Sequence, residues 1–202
     1  MKIGIFIEPP RSKIKFLSNW KKIIKKNFGS QKYLSHPLHT TIAVFDIKKK
    51  INKDIFYQLK KKISSNDSFK IKVTKPDIFF NDPLTGGDTL FFGIKRNQKL
   101  IKFQKKILNH FNKINKDIIR NVIFKNRKYQ SNYIKFGFPF VGVDWIPHFT
   151  IASVKDKTSK KKKIYKEFLS EKNFSKDMEI NYFSIWEINK DKHKRIYKYK
   201  FK

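Results

Sequence analysis

Apolar positions in the first quarter of the chain change spacing in a way that predicts strand, helix, strand. A continuous apolar run at residues 3–7, ended by two prolines, predicts a short opening strand. Apolar residues three and four apart then predict a helix with Ser12 as its N-cap and Gly29 as its stop. A second apolar run predicts another strand over residues 39–47.

The middle of the chain predicts a helix followed by a hairpin. Helical spacing marks residues 51–63, with Asn52 or a nearby residue as the cap. Every second residue is apolar over 69–73 and again over 90–94, which predicts two strands. The turn between them is predicted from three residues that favour tight turns, Pro83, Gly86 and Gly87.

The second half continues this alternation of helices and strands. Residues 117–137 are basic and aromatic without a clear period, and they predict a long loop or an irregular hairpin. Five further elements are predicted: a helix over 100–114, a strand within 140–154, a helix over 159–169, and strands over 178–188 and 195–201. Strand pairs joined by turns are antiparallel, so the fold class is α+β. No linker composition separates the halves, and we expect residues 1–202 to form one domain.

Composition supports a packed interior. Of the 202 residues 39% are hydrophobic, including 21 Phe, 8 Tyr and 3 Trp, which argues against global disorder. The sequence has no Cys, so disulfides and thiolate metal sites are excluded. The apolar run before Glu8 is too short for a signal peptide or a membrane span. We therefore expect a soluble, cytoplasmic monomer that does not associate with membranes.

A formal net charge of +32 permits a polyanionic partner, because Lys and Arg attract phosphate groups. Two explanations of this charge remain open. The lysines could bind RNA, or they could reflect the amino-acid bias of a strongly AT-rich genome, since Lys, Ile, Asn, Phe and Tyr are all abundant. The lysine runs are scattered along the chain, which favours the second explanation for most of them.

One five-residue pattern occurs twice, about half a chain apart, although the chain has only five histidines. HTTIA begins at His39 and HFTIA begins at His148. Strand side chains alternate between faces, so Thr41 shares a face with His39 and Thr150 shares a face with His148. Displacement at phosphorus needs a base on one side and an acid on the other, and imidazole titrates near neutral pH. The threonine hydroxyls could stabilise charge on the phosphate oxygens.

A structural explanation of the pattern competes with this catalytic one. A single histidine on an apolar strand is usually a packed or solvated residue. The matched pair favours catalysis, since histidine is a poor residue for pure packing. The short motif HPLH at residues 36–39 suggests a metal pair, but it has no third ligand and a loop histidine explains His36 better. We expect no metal and no cofactor, because no carboxylate or cysteine cluster suits one.

The two His-x-Thr strands, and the segment WIPHFTIA in which Pro147 precedes the second histidine, resemble the two-histidine (2H) phosphoesterase superfamily. That group includes the RNA 2',3'-cyclic phosphodiesterases also called 2'-5' RNA ligases. The resemblance covers nearly the whole chain. It implies a bilobal α+β fold, with pseudo-two-fold lobes of antiparallel sheet, flanking helices and a central cleft. It also implies intertwined lobes with one motif each.

The same resemblance implies that His39, Thr41, His148 and Thr150 form a catalytic quartet. The implied activity is a metal-independent phosphodiesterase acting on a 2',3'-cyclic phosphate or 2'-5' phosphodiester of RNA or a nucleotide, with RNA ligation as the reverse reaction. The family likeness favours His148 as base and His39 as acid for ring opening, whereas the residues alone leave these roles open.

Two alternatives for the function stay open. The first is an enzyme acting on a signalling nucleotide, such as a 2'-5' oligoadenylate or a cyclic dinucleotide. The second is a protein that binds RNA without catalysis. Phe6 and Trp145 are candidate substrate-binding residues, since aromatic faces stack on unpaired bases. Simple packing is the competing explanation for both.

Overall fold

The computed structural model describes residues 1–48, 53–64, 68–114, 116–156, 158–172, 177–189 and 192–201. The strands within these residues are β1 (Lys2–Ile7), β2 (Thr40–Asp46), β3 (Phe69–Asp82), β4 (Gly87–Ile94), β5 (His148–Val154), β6 (Asp177–Ile180), β7 (Tyr182–Asn189) and β8 (Lys192–Lys200). The helices are α1 (Arg11–Phe28), α2 (Lys53–Ser64), α3 (Gln98–Ile114), α4 (Arg127–Phe136) and α5 (Lys160–Leu169), with a short 3-10 helix at Gly142–Asp144.

The strands form two four-stranded antiparallel sheets of matching layout. The first sheet has the order β2-β1-β7-β8 and the second has the order β5-β4-β3-β6. Helix α1 contacts β5 and α5 contacts β3, whereas α3 contacts β2 and α2 contacts β8. Each sheet thus carries two helices, and the predicted bilobal α+β fold is confirmed. The two predicted motif strands, β2 and β5, are the equivalent edge strands of their sheets.

Helix α1 shows why the helical spacing in the sequence was informative. Its buried residues are spaced by three and four, at Leu17, Trp20, Ile24 and Phe28. This apolar stripe packs on the second sheet and its helix, with the rings of Trp20 and Phe168 centred 5.0 Å apart. Helix α1 thus follows a strand of the first sheet but packs on the second.

The prediction of a loop or hairpin over residues 117–137 is wrong, because this stretch contains helix α4. Both of its ends carry local signals. The Asn126 side chain accepts hydrogen bonds from the backbone N–H groups of Lys128 and Tyr129, which is N-cap geometry. Gly137 closes the helix in the left-handed conformation, with φ of 70°. The buried Tyr133 holds the helix to the preceding segment by donating its hydroxyl to the Ile119 carbonyl oxygen.

Other element boundaries also differ from the predictions. Ser12 is not the N-cap of α1; Pro10 takes that position without a side-chain cap. The strand predicted within 140–154 begins at His148, after the 3-10 helix. The single strand predicted over 178–188 is two strands in different sheets, β6 and β7. The predicted cap Asn52 lies outside the described residues.

None of the described helices combines the length and the apolar character needed to pass through a lipid bilayer.

Candidate active site

The two His-x-Thr motifs lie side by side where the edge strands β2 and β5 meet. The Thr40 hydroxyl donates a hydrogen bond to the backbone carbonyl oxygen of His148, with 3.0 Å between the two oxygens. Thr40 is fully buried, so water does not compete for this bond. The bond joins the middle residue of the first motif to the first residue of the second. It therefore fixes the two motifs relative to each other.

The first motif places its imidazole on an aromatic ring. Phe6 in β1 is paired with Thr41 in β2, so their side chains share a face of the sheet. The His39 ring stacks on the Phe6 ring, with centroids 3.9 Å apart. Nδ1 of His39 lies 2.7 Å from the carbonyl oxygen of Pro37. A carbonyl only accepts hydrogen bonds, so Nδ1 carries the hydrogen and Nε2 is the nitrogen that can exchange a proton.

The second motif repeats this arrangement in the other lobe. Phe91 in β4 is paired with Thr150 in β5, and the centroid of its ring lies 4.9 Å from that of His148. Nδ1 of His148 donates to the carbonyl oxygen of Ile146, again two residues back and again at 2.7 Å. Both imidazoles therefore leave Nε2 as the nitrogen that can exchange a proton. His148 and Thr150 share one face of the strand, as do His39 and Thr41.

A β-bulge follows the threonine in both motifs. Phe6 and Ile5 are paired with Thr41 and Ala43, which leaves Ile42 as the extra residue of β2. Phe91 and Leu90 are paired with Thr150 and Ala152, which leaves Ile151 as the extra residue of β5. Both isoleucines are fully buried. The repeated Thr-Ile-Ala is thus the sequence of a bulge that sets the direction of the strand beside the threonine hydroxyl.

A second aromatic residue flanks each Phe at equivalent positions. Trp186 in β7 is paired with Gly4, two residues before Phe6, and its ring centroid lies 6.4 Å from that of Phe6. Phe79 in β3 is paired with Thr89, two residues before Phe91, and it stacks on Phe91 at 4.1 Å. Each Phe beside a motif histidine therefore has an aromatic neighbour from the next strand of its sheet.

Comparison with protein families agrees with this paired architecture. The family model described as the 2'-5' RNA ligase superfamily matches residues 9–192. The chain belongs to the 2'-5' RNA ligase superfamily. The resemblance to two-histidine phosphoesterases inferred from the His-x-Thr pair is therefore confirmed, and phosphoesterase is the class of enzyme to which the chain belongs. None of the curated proteins compared with it matches in sequence.

Solved structures share the superfamily fold at low sequence identity. The protein TT0787 of Thermus thermophilus matches with a TM-score of 0.69 and 12% identity, covering 100% of this chain and 98% of its own. LigT of E. coli, crystallised with 3'-AMP, matches with a TM-score of 0.57 and 11% identity, covering 99% of this chain and 97% of its own. At such identities these likenesses establish the fold alone.

The electrostatic surroundings of the two imidazoles differ. Burial is the main cause that lowers the pKa of His39 to about 4, the Pro37 carbonyl opposes this, and the charges of His193, His36 and Lys21 lower it further. Burial also lowers the pKa of His148, but there the Ile146 carbonyl and the negative charge of Asp82 both raise it. Basic side chains therefore lower the pKa of one ring, whereas a carboxylate raises that of the other.

Lys21 organises the segment that leads into the first motif. Its ammonium group donates to the carbonyl oxygens of Tyr33 and His36, at 2.7 and 2.6 Å. Burial lowers the pKa of this lysine to about 8. The adjacent rings of His36 and His193 lie 4.0 Å apart. No group of three or more His, Asp or Glu side chains suited to a metal ion occurs among the described residues.

Gln104 of α3 joins the first bulge to the segment before the second motif. Its amide nitrogen donates to the carbonyl oxygens of Ile42 and Phe140, at 3.1 and 2.9 Å. Its amide oxygen accepts from the backbone N–H of Gly142 at 3.0 Å. The side chain is fully buried and all these bonds are internal. Gln104 was not predicted from the sequence because its partners are distant in the chain.

The two aromatic candidates from the sequence lie in different places. Phe6 lies next to the quartet, but only 1% of its surface is exposed, and its ring supports His39. Trp145 is 3% exposed and belongs to the hydrophobic core, so its ring face is not open to a base. The remaining aromatic neighbours, Phe91, Phe79 and Trp186, were not predicted. Their positions in the site depend on the pairing of strands, which the sequence alone does not show.

Proposed function

We propose that this member of the 2'-5' RNA ligase superfamily is a metal-independent phosphodiesterase that acts on a 2',3'-cyclic phosphate or a 2'-5' phosphodiester of RNA or a nucleotide. The observation that carries the proposal is the equivalent placement of two His-Thr pairs on strands joined by the Thr40–His148 hydrogen bond. The family match supports the chemistry, and the 3'-AMP complex of LigT fits a nucleotide ligand. Both lobes contribute, so we propose that they act as one domain.

The proposed reaction uses one imidazole as base and the other as acid. For ring opening, a water oxygen attacks phosphorus while Nε2 of the base takes a proton from that water. The phosphorus–oxygen bond to one ribose oxygen breaks, and Nε2 of the acid donates a proton to this oxygen. The product is a phosphomonoester. Thr41 and Thr150 donate hydrogen bonds to the non-bridging oxygens, and in the reverse direction the histidines exchange roles.

The charges around the rings support His39 as the base and His148 as the acid for ring opening. A base must be neutral before the reaction, and nearby cations favour the neutral form of His39. An acid must hold a proton; burial lowers the pKa of His148, and the Ile146 carbonyl and the negative charge of Asp82 oppose that shift. This assignment is the reverse of the one that the family resemblance favoured. It rests on the opposite sign of the groups beside the two rings.

The test is hydrolysis of an RNA oligonucleotide that ends in a 2',3'-cyclic phosphate. His39→Ala and His148→Ala should each lower kcat by about 10²–10⁴-fold, the range for loss of a general acid or base. His110→Ala is the matched control, because this histidine lies in α3 and binds the Gln58 carbonyl. Its activity should stay within twofold of wild type. Full activity in a folded variant of either motif histidine would end the proposal, and binding without turnover in wild type would favour RNA binding alone.

A substrate with an activated leaving group separates the roles of the two histidines. A nucleoside p-nitrophenyl phosphodiester releases an anion that needs no proton, so loss of the general acid matters little. His148→Ala should therefore recover most of the wild-type rate on this substrate, whereas His39→Ala should not. The opposite result would exchange the two assignments and leave the quartet in place.

A further inference from the structure

A cavity of about 1200 Å³ opens beside the first motif. One wall is the face of α1 that contains Arg11, Lys22 and Lys25, and another is formed by the segment 36–38 and Glu8. Residues of the connection from β6 to β7, including Tyr182, and two cations of β8 complete it. This volume exceeds the roughly 300–1,000 Å³ of ordinary small-molecule sites. It therefore has room for more than a single nucleotide.

The cavity is lined by residues that contact or support the proposed base. The carbonyl of its wall residue Pro37 accepts the Nδ1 hydrogen bond of His39 at 2.7 Å. Glu8, another wall residue, follows Phe6 by two positions, and the Phe6 ring stacks on His39. These contacts place the cavity next to the residues that hold His39, and a chain with its reacting phosphate at the imidazoles needs to extend by only a few residues' distance to enter it.

Several cations of the cavity wall already bind protein groups. Glu8 accepts a hydrogen bond from Lys198 at 3.0 Å and forms an ion pair with Arg195 at 3.5 Å. Lys21 donates to backbone carbonyls. The wall also contains the carboxylate of Glu179, which accepts a hydrogen bond from Ser68. Further positive charge lies along α1, where Arg11 and Lys25 are 14 residues, or roughly 20 Å, apart along the helix. That row is too long for one phosphate and suits several in sequence.

The cavity also offers aromatic and apolar surface. Tyr182 is 39% exposed and Ile14 is 38% exposed, and both line the cavity. Lys198 lies 4.6 Å over the Tyr182 ring. Sites for single-stranded nucleic acid combine cations that follow the backbone with side chains on which bases rest. This mixture distinguishes the cavity from a site for a bare polyphosphate.

We propose that this cavity binds the single-stranded RNA that flanks the reacting phosphate, over several nucleotides, and that the row of Arg11, Lys22 and Lys25 contacts its backbone. The proposal rests on the proposed function, because it takes the reacting phosphate to lie at the histidines. It makes an oligonucleotide a better substrate than a mononucleotide. It also assigns a binding role to a few lysines while leaving the others to amino-acid bias.

The experiment compares two double variants on the same helix. Lys22→Gln/Lys25→Gln removes two cavity charges, and Lys15→Gln/Lys26→Gln removes two charges that do not line it. Both variants lose the same net charge, so the long-range field of the protein changes equally. The assays are kcat/KM on an eight-nucleotide RNA with a 2',3'-cyclic phosphate and on a 2',3'-cyclic mononucleotide. Binding of labelled eight-nucleotide RNA is measured in parallel by fluorescence anisotropy.

The cavity variant should lose at least tenfold in kcat/KM and in affinity for the eight-nucleotide RNA, and less than twofold on the mononucleotide. The control variant should lose less than threefold on either substrate. Equal losses in the two variants, equal wild-type kcat/KM on both substrates, or equally good competition by polyglutamate would overturn the proposal. If wild type turns over neither substrate but the cavity variant alone loses RNA binding, the proposed function fails and the binding site stands.

Discussion

Replacement of Thr40 by valine tests how strongly catalysis depends on the bond between the two motifs. Valine keeps the shape of threonine but lacks the hydroxyl, so the His148 carbonyl oxygen loses the hydrogen bond that it accepts at 3.0 Å. Thr40 is fully buried, and a buried polar group left without its partner costs about 1–3 kcal/mol. For a chain of this size each kcal/mol lowers Tm by about 2–4 °C. We therefore expect a fall in Tm of about 2–12 °C, measured by thermal unfolding.

The effect on catalysis should exceed the effect on stability. Without the bond the two imidazoles are no longer held at a fixed spacing, and a misplacement of about 1 Å can cost 10²-fold in rate. At a temperature where the variant is still folded, we expect kcat on the oligonucleotide with a 2',3'-cyclic phosphate to be about 10–100-fold lower than in wild type. KM should change by less than threefold. Thr40→Ser keeps the hydroxyl and should recover most of kcat.

Thr85→Val provides the matched control. Thr85 is also buried, and its hydroxyl is 2.7 Å from the Ser153 hydroxyl near the hairpin turn. This variant should lose comparable stability and retain wild-type kcat. If Thr40→Val keeps wild-type kcat despite a lower Tm, the bond serves stability alone and the positioning argument is refuted. The same conclusion follows if Thr85→Val loses as much kcat as Thr40→Val.

Three further predictions concern His39 and its surroundings. A Cβ atom added by Gly4→Ala would overlap the Phe6 ring, so the ring must move and carry the stacked His39 with it; we expect at least a tenfold loss of kcat, and unchanged kinetics would contradict this. Because the pKa of His39 is lowered from 6.5 to about 4, the acid limb of kcat/KM should lie near pH 4. As pH falls below 6.5, His39 takes up a proton in the unfolded chain, whereas in the folded protein it does so only near pH 4. The free energy of unfolding should therefore fall as pH is lowered from 6.5 to about 4. This fall should be smaller in His39→Gln, which lacks the titrating group.

Local patterns in the sequence were sufficient to predict most of the elements and to single out the four residues of the proposed quartet. The period of α1, the alternation of the hairpin and the repeated His-x-Thr each depend on residues that are close in the chain. Helix α4 was missed although its signals are local too: Asn126 and Gly137 are favourable cap residues that bracket ten helical positions. The helical spacing of apolar residues is weak in α4, because among the described positions Tyr133 is its one residue identified as buried. The rest of the helix is largely exposed and basic.

Features that depend on pairing between distant strands could not be read from the chain. The bulges at Ile42 and Ile151 exist only relative to β1 and β4, which supply one residue where β2 and β5 supply two. The Thr40 bond and the three contacts of Gln104 likewise join residues far apart in sequence. For the same reason the sequence shows that Thr-Ile-Ala is repeated, but it does not show that each copy forms a β-bulge.

The connection between the lobes constrains how the enzyme can move. Asn181 alone separates β6, in the second sheet, from β7, in the first. Its carbonyl oxygen also accepts a hydrogen bond from the backbone N–H of Phe201 at 2.9 Å. A hinge rotation at this residue would have to break backbone hydrogen bonds of β6 or β7, because a one-residue connection is too short to absorb the rotation. We therefore expect the turnover cycle to proceed without clamshell opening, with substrate exchange left to side chains and surface loops.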